Sequence, residues 1–525
     1  MKHLITIFFL ILAVKCFSQN TTPPLSKGGT RFTNKPILIR GPYLQVATDT
    51  SMEIRWRTDA SIRSRVRYGI TEGKLDKNID DLKLVTDHEI KLGGLTAGTK
   101  YYYSIGSLQD TLQIGGDNYF HTLPTTGSKI FQRIGVFGDC GDLTINQANV
   151  RDEFIKYLGN HYLNAWILLG DNAYNDGTDA EYQAKFFNVY KGLLKKYPLF
   201  PTPGNHDYHD ADFTADYAQN NHTTAYYQNF SMPINGESGG VPSHNLAFYS
   251  FDIGNIHFLS LDSYGKEENK YFLYDTLGPQ VQWLKKDLEA NKNKEWIVVY
   301  THFPPYSMGS HNSDTESGLY KIRENVIPIL ERYGVDLVLC GHSHVYERSK
   351  LMRGYYGKEA DFDETKYNLS NSTGLYNGNE NSGPYIKDSD NQGTVYVVSG
   401  SSSYLGKPEA SFPHAAMQYS NATITGSAIL EVQGNRLDVK WICADGVIRD
   451  HFTMMKNVNK KSIIHLKKDQ TTILTASFIC DEYKWNNSKK IGGSIEVKPP
   501  IGKSTYIVRD KFNYLRDVFE VEVSK

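Results

Sequence analysis

The chain has 525 residues, a formal net charge of −1 and 22% charged residues. This length is too great for one ordinary core, so two to four domains are expected. Because the net charge is near zero and no basic stripe stands out, the composition argues against binding to a nucleic-acid backbone. Beyond the first residues, no segment is apolar over the length of a transmembrane helix.

Residues 1–18 have the pattern of a signal peptide. A short basic start precedes the apolar run 4–14, which is too short to span a bilayer, and small residues follow. Cys16 raises the alternative of a lipid anchor, but Lys15 stands where such a signal needs a small residue. The expected product is therefore a secreted, periplasmic or cell-surface protein without a membrane span. The polar stretch 19–35 is interpreted as a linker.

Short alternating strands dominate residues 36–125. Residues 51–57 place Met52, Ile54 and Trp56 on one face, and residues 95–103 form a turn that leads into a strand. The Trp56 strand and this turn resemble those of a fibronectin type III-like β-sandwich. Trp56 is expected in the core, although a ligand-stacking role is the alternative.

Residues 128–456 alternate apolar strands with helical segments, which is typical of an α/β domain. In such domains, chemistry collects at the carboxyl ends of the strands. A hairpin is expected over 245–262, with its turn at Gly254-Asn255. The predicted strands are Arg133–Phe137, Ala165–Leu169, Trp296–Tyr300 and Val335–Leu339; the predicted helices are Val150–Leu158, Ala180–Leu194, Pro279–Ala290 and Ser317–Tyr333.

Two later segments have a different character. Residues 352–393 are rich in Asn, Gly, Ser and Asp, and form either a rim of the active site or a surface excursion. Residues 459–525 return to short strands and resemble the Ig-like modules appended to secreted enzymes.

Four cysteines lie beyond the predicted signal peptide. Cys140 and Cys340 stand beside the motifs described next, where thiolate ligation competes with the favoured interpretation as small buried residues. Disulfides Cys140–Cys340 and Cys443–Cys480 stay open.

Five short motifs, most of them directly after an apolar run, contain the polar residues of the central region. Together they offer carboxylates, a phenol, an amide and imidazoles, the groups that hold two metal ions close together for phosphoester hydrolysis. The motifs are Gly138-Asp139-Cys140-Gly141, Gly170-Asp171-Asn172-Ala173-Tyr174, Gly204-Asn205-His206-Asp207, Val299-Tyr300-Thr301-His302 and Gly341-His342-Ser343-His344.

The first three motifs supply oxygen ligands. Asp171 is the natural bridge between two cations because a carboxylate has two oxygens and Tyr174 follows on the same loop. A Tyr174 phenolate suits ferric iron, whereas an isolated tyrosine is usually a core residue. Asn205 is a neutral oxygen ligand. His206 is assigned to phosphate binding or leaving-group protonation, with Asp207 orienting it or a metal ligand.

The last two motifs supply imidazoles. His302 ends a strand, and His342 and His344 are two residues apart, so they project alike on an extended chain. His311 lies on a loop shortly after His302 and is interpreted as the substrate-side partner of His206. The alternative for His311 is an exposed loop histidine.

This series of motifs resembles that of the purple acid phosphatases, within the calcineurin-like metallophosphoesterase superfamily. The resemblance implies a central sandwich of two mixed sheets flanked by helices. It also implies Fe(III) bound by Asp139, Asp171, Tyr174 and His344, and divalent Fe, Zn or Mn bound by Asp171, Asn205, His302 and His342. His206 and His311 match the family's histidines outside the metal ligands. Asp207 departs from the glutamate of plant members.

The resulting hypothesis is a secreted acid phosphatase that hydrolyses small phosphomonoesters by attack of a metal-bound hydroxide. A phosphodiesterase or nucleotidase of the same superfamily is the nearest alternative, and Tyr174 argues against it. A non-catalytic surface adhesin is the other alternative, and the complete ligand set argues against that.

Overall fold

The structure is a computed structural model that describes residues 35–209, 223–387, 393–486 and 491–525. The predicted signal peptide and nearly all of the predicted linker lie outside the described residues. Within the described ranges, no helix has both the length and the apolar character needed to cross a membrane.

The N-terminal region is an antiparallel β-structure built around one long strand. The order is β1-β2-β4-β5, with β3 also paired to β2 and β6 to β4. The strand predicted around residues 51–57 is the first part of one long strand, β2, which has register shifts between Arg57 and Ser64. Trp56 is buried and stacks on His88 at 4.7 Å, so it is a core residue. The strands are β1 (Leu38–Gln45), β2 (Met52–Gly69), β3 (Lys77–Leu92), β4 (Lys100–Gly106), β5 (Thr111–Gln113) and β6 (Tyr119–His121).

The central region contains two seven-stranded mixed sheets. Their orders are β10-β11-β12-β13-β16-β14-β17 and β15-β20-β19-β18-β7-β8-β9. The hairpin prediction is confirmed, since β10 and β11 pair antiparallel around Gly254-Asn255. The strands are β7 (Gln132–Phe137), β8 (Ala165–Leu169), β9 (Leu199–Thr202), β10 (Tyr249–Ile253), β11 (Ile256–Leu261), β12 (Trp296–Thr301), β13 (Leu337–Cys340), β14 (Tyr346–Ser349), β15 (Tyr385–Lys387), β16 (Val395–Ser399), β17 (Met417–Asn421), β18 (Gly426–Gln433), β19 (Arg436–Cys443) and β20 (Ile448–Lys456).

Two predicted helices are broken in the structure. The segment predicted as 317–333 is two helices that meet at Val326, where Pro328 near the start of the second lacks the N–H that a continuous helix needs. The segment predicted as 180–194 contains a π-helical turn whose aromatic residues pack toward the N-terminal region, with Phe187 lying 5.0 Å from Tyr43. The helices are Ile145–Leu158, Asp179–Glu181, Tyr182–Phe187 (π), Lys191–Leu194, His206–Tyr208 (3₁₀), Ala225–Asn229, Pro279–Asn291, Ser317–Asn325, Ile327–Arg332, Glu359–Asp361 (3₁₀) and Glu364–Tyr367.

The C-terminal region forms a four-stranded sheet, β21-β26-β25-β23, and a two-stranded sheet, β22-β24. Its apolar residues form a cluster that also includes Met455 of the central region and Val458 just after it. An Ig-like class for this region stays a prediction. The strands are β21 (Lys461–Lys467), β22 (Thr472–Thr475), β23 (Tyr483–Trp485), β24 (Ser494–Val497), β25 (Gly502–Asp510) and β26 (Arg516–Ser524).

The insertion within 352–393 has contacts on two sides. The backbone N–H of Glu359 donates to Asp314 at 2.8 Å, on the loop that carries His311. Further along, the Tyr376 hydroxyl donates to Asp510 at 3.2 Å in the C-terminal region. The insertion therefore contacts the loop that carries His311 and also contacts the C-terminal region.

Candidate metal centre

The polar motifs lie at the carboxyl ends of parallel strands in the two central sheets. β7, β8 and β9 are parallel neighbours, and β12 and β13 are parallel neighbours in the other sheet. Asp139, Asp171 and Asn205 follow the first three strands, whereas His302 and His342 follow the other two. Because parallel strands end at the same edge, the side chains of the motifs meet between the two sheets.

The backbone is strained where these side chains leave the strands. Asp139, Asp171 and His342 have φ values of 55°, 52° and 67°, in the left-handed region that non-glycine residues rarely adopt. Residues held in such conformations concentrate at functional sites. A Cβ at Gly170 would stand 2.6 Å from Nδ1 of His302, and one at Gly204 would stand 2.2 Å from Oδ1 of Asp171. Both positions therefore require glycine.

Two groups of donor atoms share one carboxylate. Asp171 with His302 and His342 forms the first group, and Asp171 with Asp139 and His344 forms the second. Within each group, one ligand atom from every residue lies within 4.8 Å of the others. All five side chains are buried. This arrangement places Asp171 where a bridging ligand between two cations would stand.

Tyr174 lies in the second group. Its hydroxyl is 3.0 Å from Oδ1 of Asp139, 3.0 Å from Oδ2 of Asp171 and 3.2 Å from Nε2 of His344. Burial, with the two carboxylates adding to it, raises the pKa of the Tyr174 phenol well above its usual value. A phenolate at this position therefore requires a nearby cation.

His302 and Asn205 converge with Asp171 at one point. Nδ1 of His302 donates to the carbonyl of Leu169 at 2.8 Å, so the neutral ring carries its lone pair on Nε2. Nε2 lies 3.0 Å from Oδ1 of Asn205 and 3.3 Å from Oδ2 of Asp171. Burial disfavours the imidazolium, but Asp171 outweighs burial and raises the pKa of His302 to about 9. Since Nε2 of His302 and the two oxygens all carry lone pairs, either a proton or a metal cation is needed between them.

His342 supplies an independent indication of a ligand. Its Nε2 is buried without a hydrogen-bond partner, although a Glu316 oxygen lies 3.5 Å away. Burial lowers the pKa of His342 to about 3, so the ring is neutral and its ring nitrogen can act as a metal ligand. An orphaned imidazole nitrogen beside converging oxygen lone pairs fits a metal ion. The donor set, two carboxylates with imidazoles, an amide and a phenol, suits hard or borderline metal ions.

His206 and His311 stand at the edge of the two donor groups. Nδ1 of His206 donates to the carbonyl of Asn175 at 2.5 Å, and its Nε2 lies 3.9 Å from Oδ2 of Asp171. Nδ1 of His311 is 3.0 Å from Glu316, and its ring stacks on His342 at 3.7 Å. Both side chains are partly exposed, with 28% and 30% of their surface accessible. The structure thus brings both histidines to the open side of the site.

Asp207 acts on the backbone rather than on His206. Its carboxylate accepts from the N–H of Gly204 at 2.8 Å and from the N–H of Asn172 at 3.1 Å, and from the Tyr182 hydroxyl at 2.5 Å. These bonds join the loops that carry Asp171 and Asn205. Burial, followed by repulsion from Asp171, raises the pKa of Asp207 to about 7. Of its two predicted roles, Asp207 therefore does not hold His206, whereas its bonds support the loops of two predicted metal ligands.

Sequence reasoning missed two side chains of the site. Glu316, directly before the helix Ser317–Asn325, contacts His311 and closes a third group with His311 and His342. The Tyr404 hydroxyl lies 3.3 Å from Nε2 of His344. An acidic residue before a helix is a weak signal that could have drawn attention to Glu316. Nothing in the sequence around Tyr404 distinguishes it from other tyrosines.

Neither Cys140 nor Cys340 belongs to a donor group among the described residues. Cys140 and Cys340 are buried, and burial raises the pKa of both thiols. Neutral buried thiols fit the interpretation as small packing residues. Cys140, Cys340, Cys443 and Cys480 are all free, so the two disulfides left open by the sequence do not form.

Comparison with known families gives two matches along this chain. A family described as Calcineurin-like phosphoesterase matches residues 132–346, and the Purple acid Phosphatase N-terminal domain matches residues 39–122. Together these matches cover more than half of the chain. The first match begins at β7 and ends at β14, and it includes all seven predicted metal ligands.

Similar proteins are found in plants and animals. The chain is 30% identical over 294 residues to purple acid phosphatase 15 of Arabidopsis thaliana, which covers 51% of this chain and 50% of that protein. It is 28% identical over 370 residues to purple acid phosphatase 21 of the same plant, covering 66% and 74%. Acid phosphatase type 7 of Homo sapiens is 28% identical over 327 residues, covering 57% and 67%. The chain thus spans only half the length of the first of these relatives.

Solved structures show the same fold. A purple acid phosphatase from yellow lupin seeds superposes with a TM-score of 0.59 at 17% identity, covering 80% of this chain and 74% of that one. PhoD superposes with a TM-score of 0.56 at 14% identity, covering 81% and 92%. The purple acid phosphatase family uses a dinuclear metal centre, in agreement with the two donor groups. By family, residues 39–122 are a purple acid phosphatase N-terminal domain and residues 132–346 are a calcineurin-like phosphoesterase domain, the combination that the resemblance to the purple acid phosphatases predicted.

Proposed function

We propose that the chain hydrolyses small phosphomonoesters at a dinuclear centre under acidic conditions. The observation that carries this proposal is the pair of donor groups joined by Asp171, with the Tyr174 phenol in one of them. One group, Asp139, Asp171, Tyr174 and His344, would hold Fe(III). The other, Asp171, Asn205, His302 and His342, would hold divalent Fe, Zn or Mn.

When bound by these residues, two cations would polarise a phosphate ester and supply a nucleophile from water. The protein side chains orient these groups and the substrate. The left-handed backbone at Asp139 and Asp171 turns their carboxylates toward each other, and Asp207 holds the two loops in register. Burial excludes water behind the ligands, which strengthens every electrostatic contact in the site.

His206 and His311 are proposed to act on the substrate. The carbonyl of Asn175 holds Nδ1 of His206, so Nε2 is the nitrogen near the site. Glu316 similarly holds Nδ1 of His311, which leaves Nε2 for the substrate. A hydrogen bond or proton from either Nε2 would offset the negative charge that grows on the phosphoryl group or the leaving oxygen.

The phosphodiesterase or nucleotidase alternative predicts no phenolate ligand, so Tyr174 disfavours it.

We also propose that residues 1–18 direct export of the chain. N-terminal sequencing of the exported protein tests this proposal, with Gln19 as the expected first residue.

The wild-type protein is expected to bind two metal ions per chain and to absorb visible light. Tyr174→Phe should abolish or shift the visible band because it removes the phenolate, while most of the metal stays bound. Elemental analysis and an absorption spectrum of purified protein measure both quantities, and hydrolysis of an aryl phosphate measures activity.

Tyr404→Phe is the matched control for this experiment. Its hydroxyl lies near the same nitrogen of His344 but is not a proposed ligand, so the band should persist. A colourless wild-type protein that is fully metallated and active would refute the ferric phenolate.

A further inference from the structure

A cavity of about 380 Å³ lies at the opposite end of the central sheets from the metal ligands. Its lining includes residues just before β12 and β13, the two strands that end at His302 and His342. A six-residue strand is roughly 20 Å long, so the cavity and the metal ligands are separated by that distance. The cavity is therefore distinct from the candidate metal centre.

The described lining of this cavity is rich in positive charge. Only two acidic side chains face it, Glu295 and Asp336. Glu295 already pairs with Lys129, and Asp336 pairs with two lysines. The cationic lining residues are Lys292, Lys294, Arg332, Lys387 and Lys456.

One carboxylate serves two ammonium groups at the base of the cavity. Lys387 donates to Oδ1 of Asp336 at 2.5 Å, and Lys456 donates to Oδ2 at 2.7 Å. Oδ2 also accepts the backbone N–H of Ile297 at 2.9 Å. Lys387 is buried, and burial together with Lys456 lowers its pKa to about 8. Two ammonium groups, one buried and one partly exposed, therefore share the Asp336 carboxylate, and Glu331 is a further carboxylate that acts on Lys387.

The remaining cations lie nearer the surface. Lys294 pairs with Asp252 and Lys292 pairs with Glu289, so their charges are balanced. Arg332 is exposed and forms no ion pair with any residue in the described ranges. Among the described residues, the cavity therefore has a guanidinium without an ion pair at its rim and two ammonium groups that share one carboxylate at its base. An oxyanion would accept hydrogen bonds from the guanidinium and ammonium N–H groups.

We propose that this cavity binds a small oxyanion of the phosphate class. The buried ammonium of Lys387 would contact the anion at the base, and the guanidinium of Arg332 would close over it from the rim. This inference stands independently of the proposed catalytic function, because none of its residues belongs to the metal centre.

Equilibrium dialysis of the metal-loaded protein with radiolabelled inorganic phosphate tests the proposal. Two equivalents should bind per chain, one at the metal centre and one in the cavity. Arg332→Gln should weaken the second equivalent by at least about tenfold, the loss expected for one charge-assisted contact. Hydrolysis of an aryl phosphate should be unchanged in this variant. Asp171→Asn should instead remove the equivalent at the metal centre and keep the one in the cavity.

Lys503→Gln is the matched control, since Lys503 carries the same charge in a surface pair with Glu522. It should leave both equivalents intact. Lys387→Gln should abolish the cavity equivalent, and circular dichroism checks its folding. If Lys387→Gln does not fold, Arg332→Gln decides alone. A single equivalent in the wild-type protein that Asp171→Asn removes, or unchanged phosphate affinity in Arg332→Gln, would overturn the proposal.

Discussion

Asp171→Ala is expected to lose both metal ions together with activity. Asp171 is the residue shared by the two donor groups, so its loss removes a ligand from each cation. The fall in turnover should be at least about 10³-fold, since the nucleophile depends on the bound metal. Elemental analysis, kcat for an aryl phosphate and circular dichroism measure the three relevant quantities.

Two variants serve as controls for Asp171→Ala. Asp139→Ala removes a residue that belongs to one donor group, so it should lose metal from that group first. Asp142→Ala removes a nearby carboxylate that belongs to neither group and should keep both ions. If Asp171→Ala retained two ions and near-normal turnover, the bridging assignment would be wrong.

His206→Ala and His311→Ala are expected to keep two metal ions and lose turnover. Loss of a general acid typically lowers a rate by about 10²–10⁴-fold. Because aryl leaving groups need little protonation, alkyl phosphates should suffer more than aryl phosphates. The measurement is kcat for an alkyl and an aryl phosphate in each variant, alongside metal content.

The two histidines are also expected to differ in one respect. His311 belongs to a third group with Glu316 and His342, whereas His206 belongs to none of the three. Metal loss in His311→Ala would therefore make His311 a ligand. His161→Ala, at an exposed histidine away from the site, is the control and should change neither quantity. Unchanged turnover of alkyl phosphates would remove a histidine from the mechanism.

The structure confirms much of the strand prediction. The strand Ala165–Leu169 has the predicted bounds, and the hairpin turns at Gly254-Asn255. A fully apolar run of five residues was sufficient for the strand, and the Gly254-Asn255 turn signal was sufficient for the hairpin. The helix prediction failed where local periodicity ran across a break. The aromatic residues of 182–187 pack against β1, and Pro328 divides the later segment.

The sequence by itself placed Asp139, Asp171, His302 and His342 at strand ends, because a predicted strand precedes each of them. The strand before Asn205, β9, was not predicted, and Asn205 was selected by its motif alone. Such motifs span only a few residues, so they can be recognised in a single sequence.

Only the tertiary structure decided which side chains meet across long separations. Glu316 contacts His311, Tyr404 contacts His344, and Asp207 joins two ligand loops. Tyr404 and His344 are 60 residues apart in the chain, and only the tertiary structure brings them into contact. The positive charge around the cavity at Lys387 also depends on the tertiary structure, since the cationic residues come from separate elements and no local pattern relates them. Periodicity and motifs describe neighbours along the chain, whereas these contacts are set by how the sheets pack.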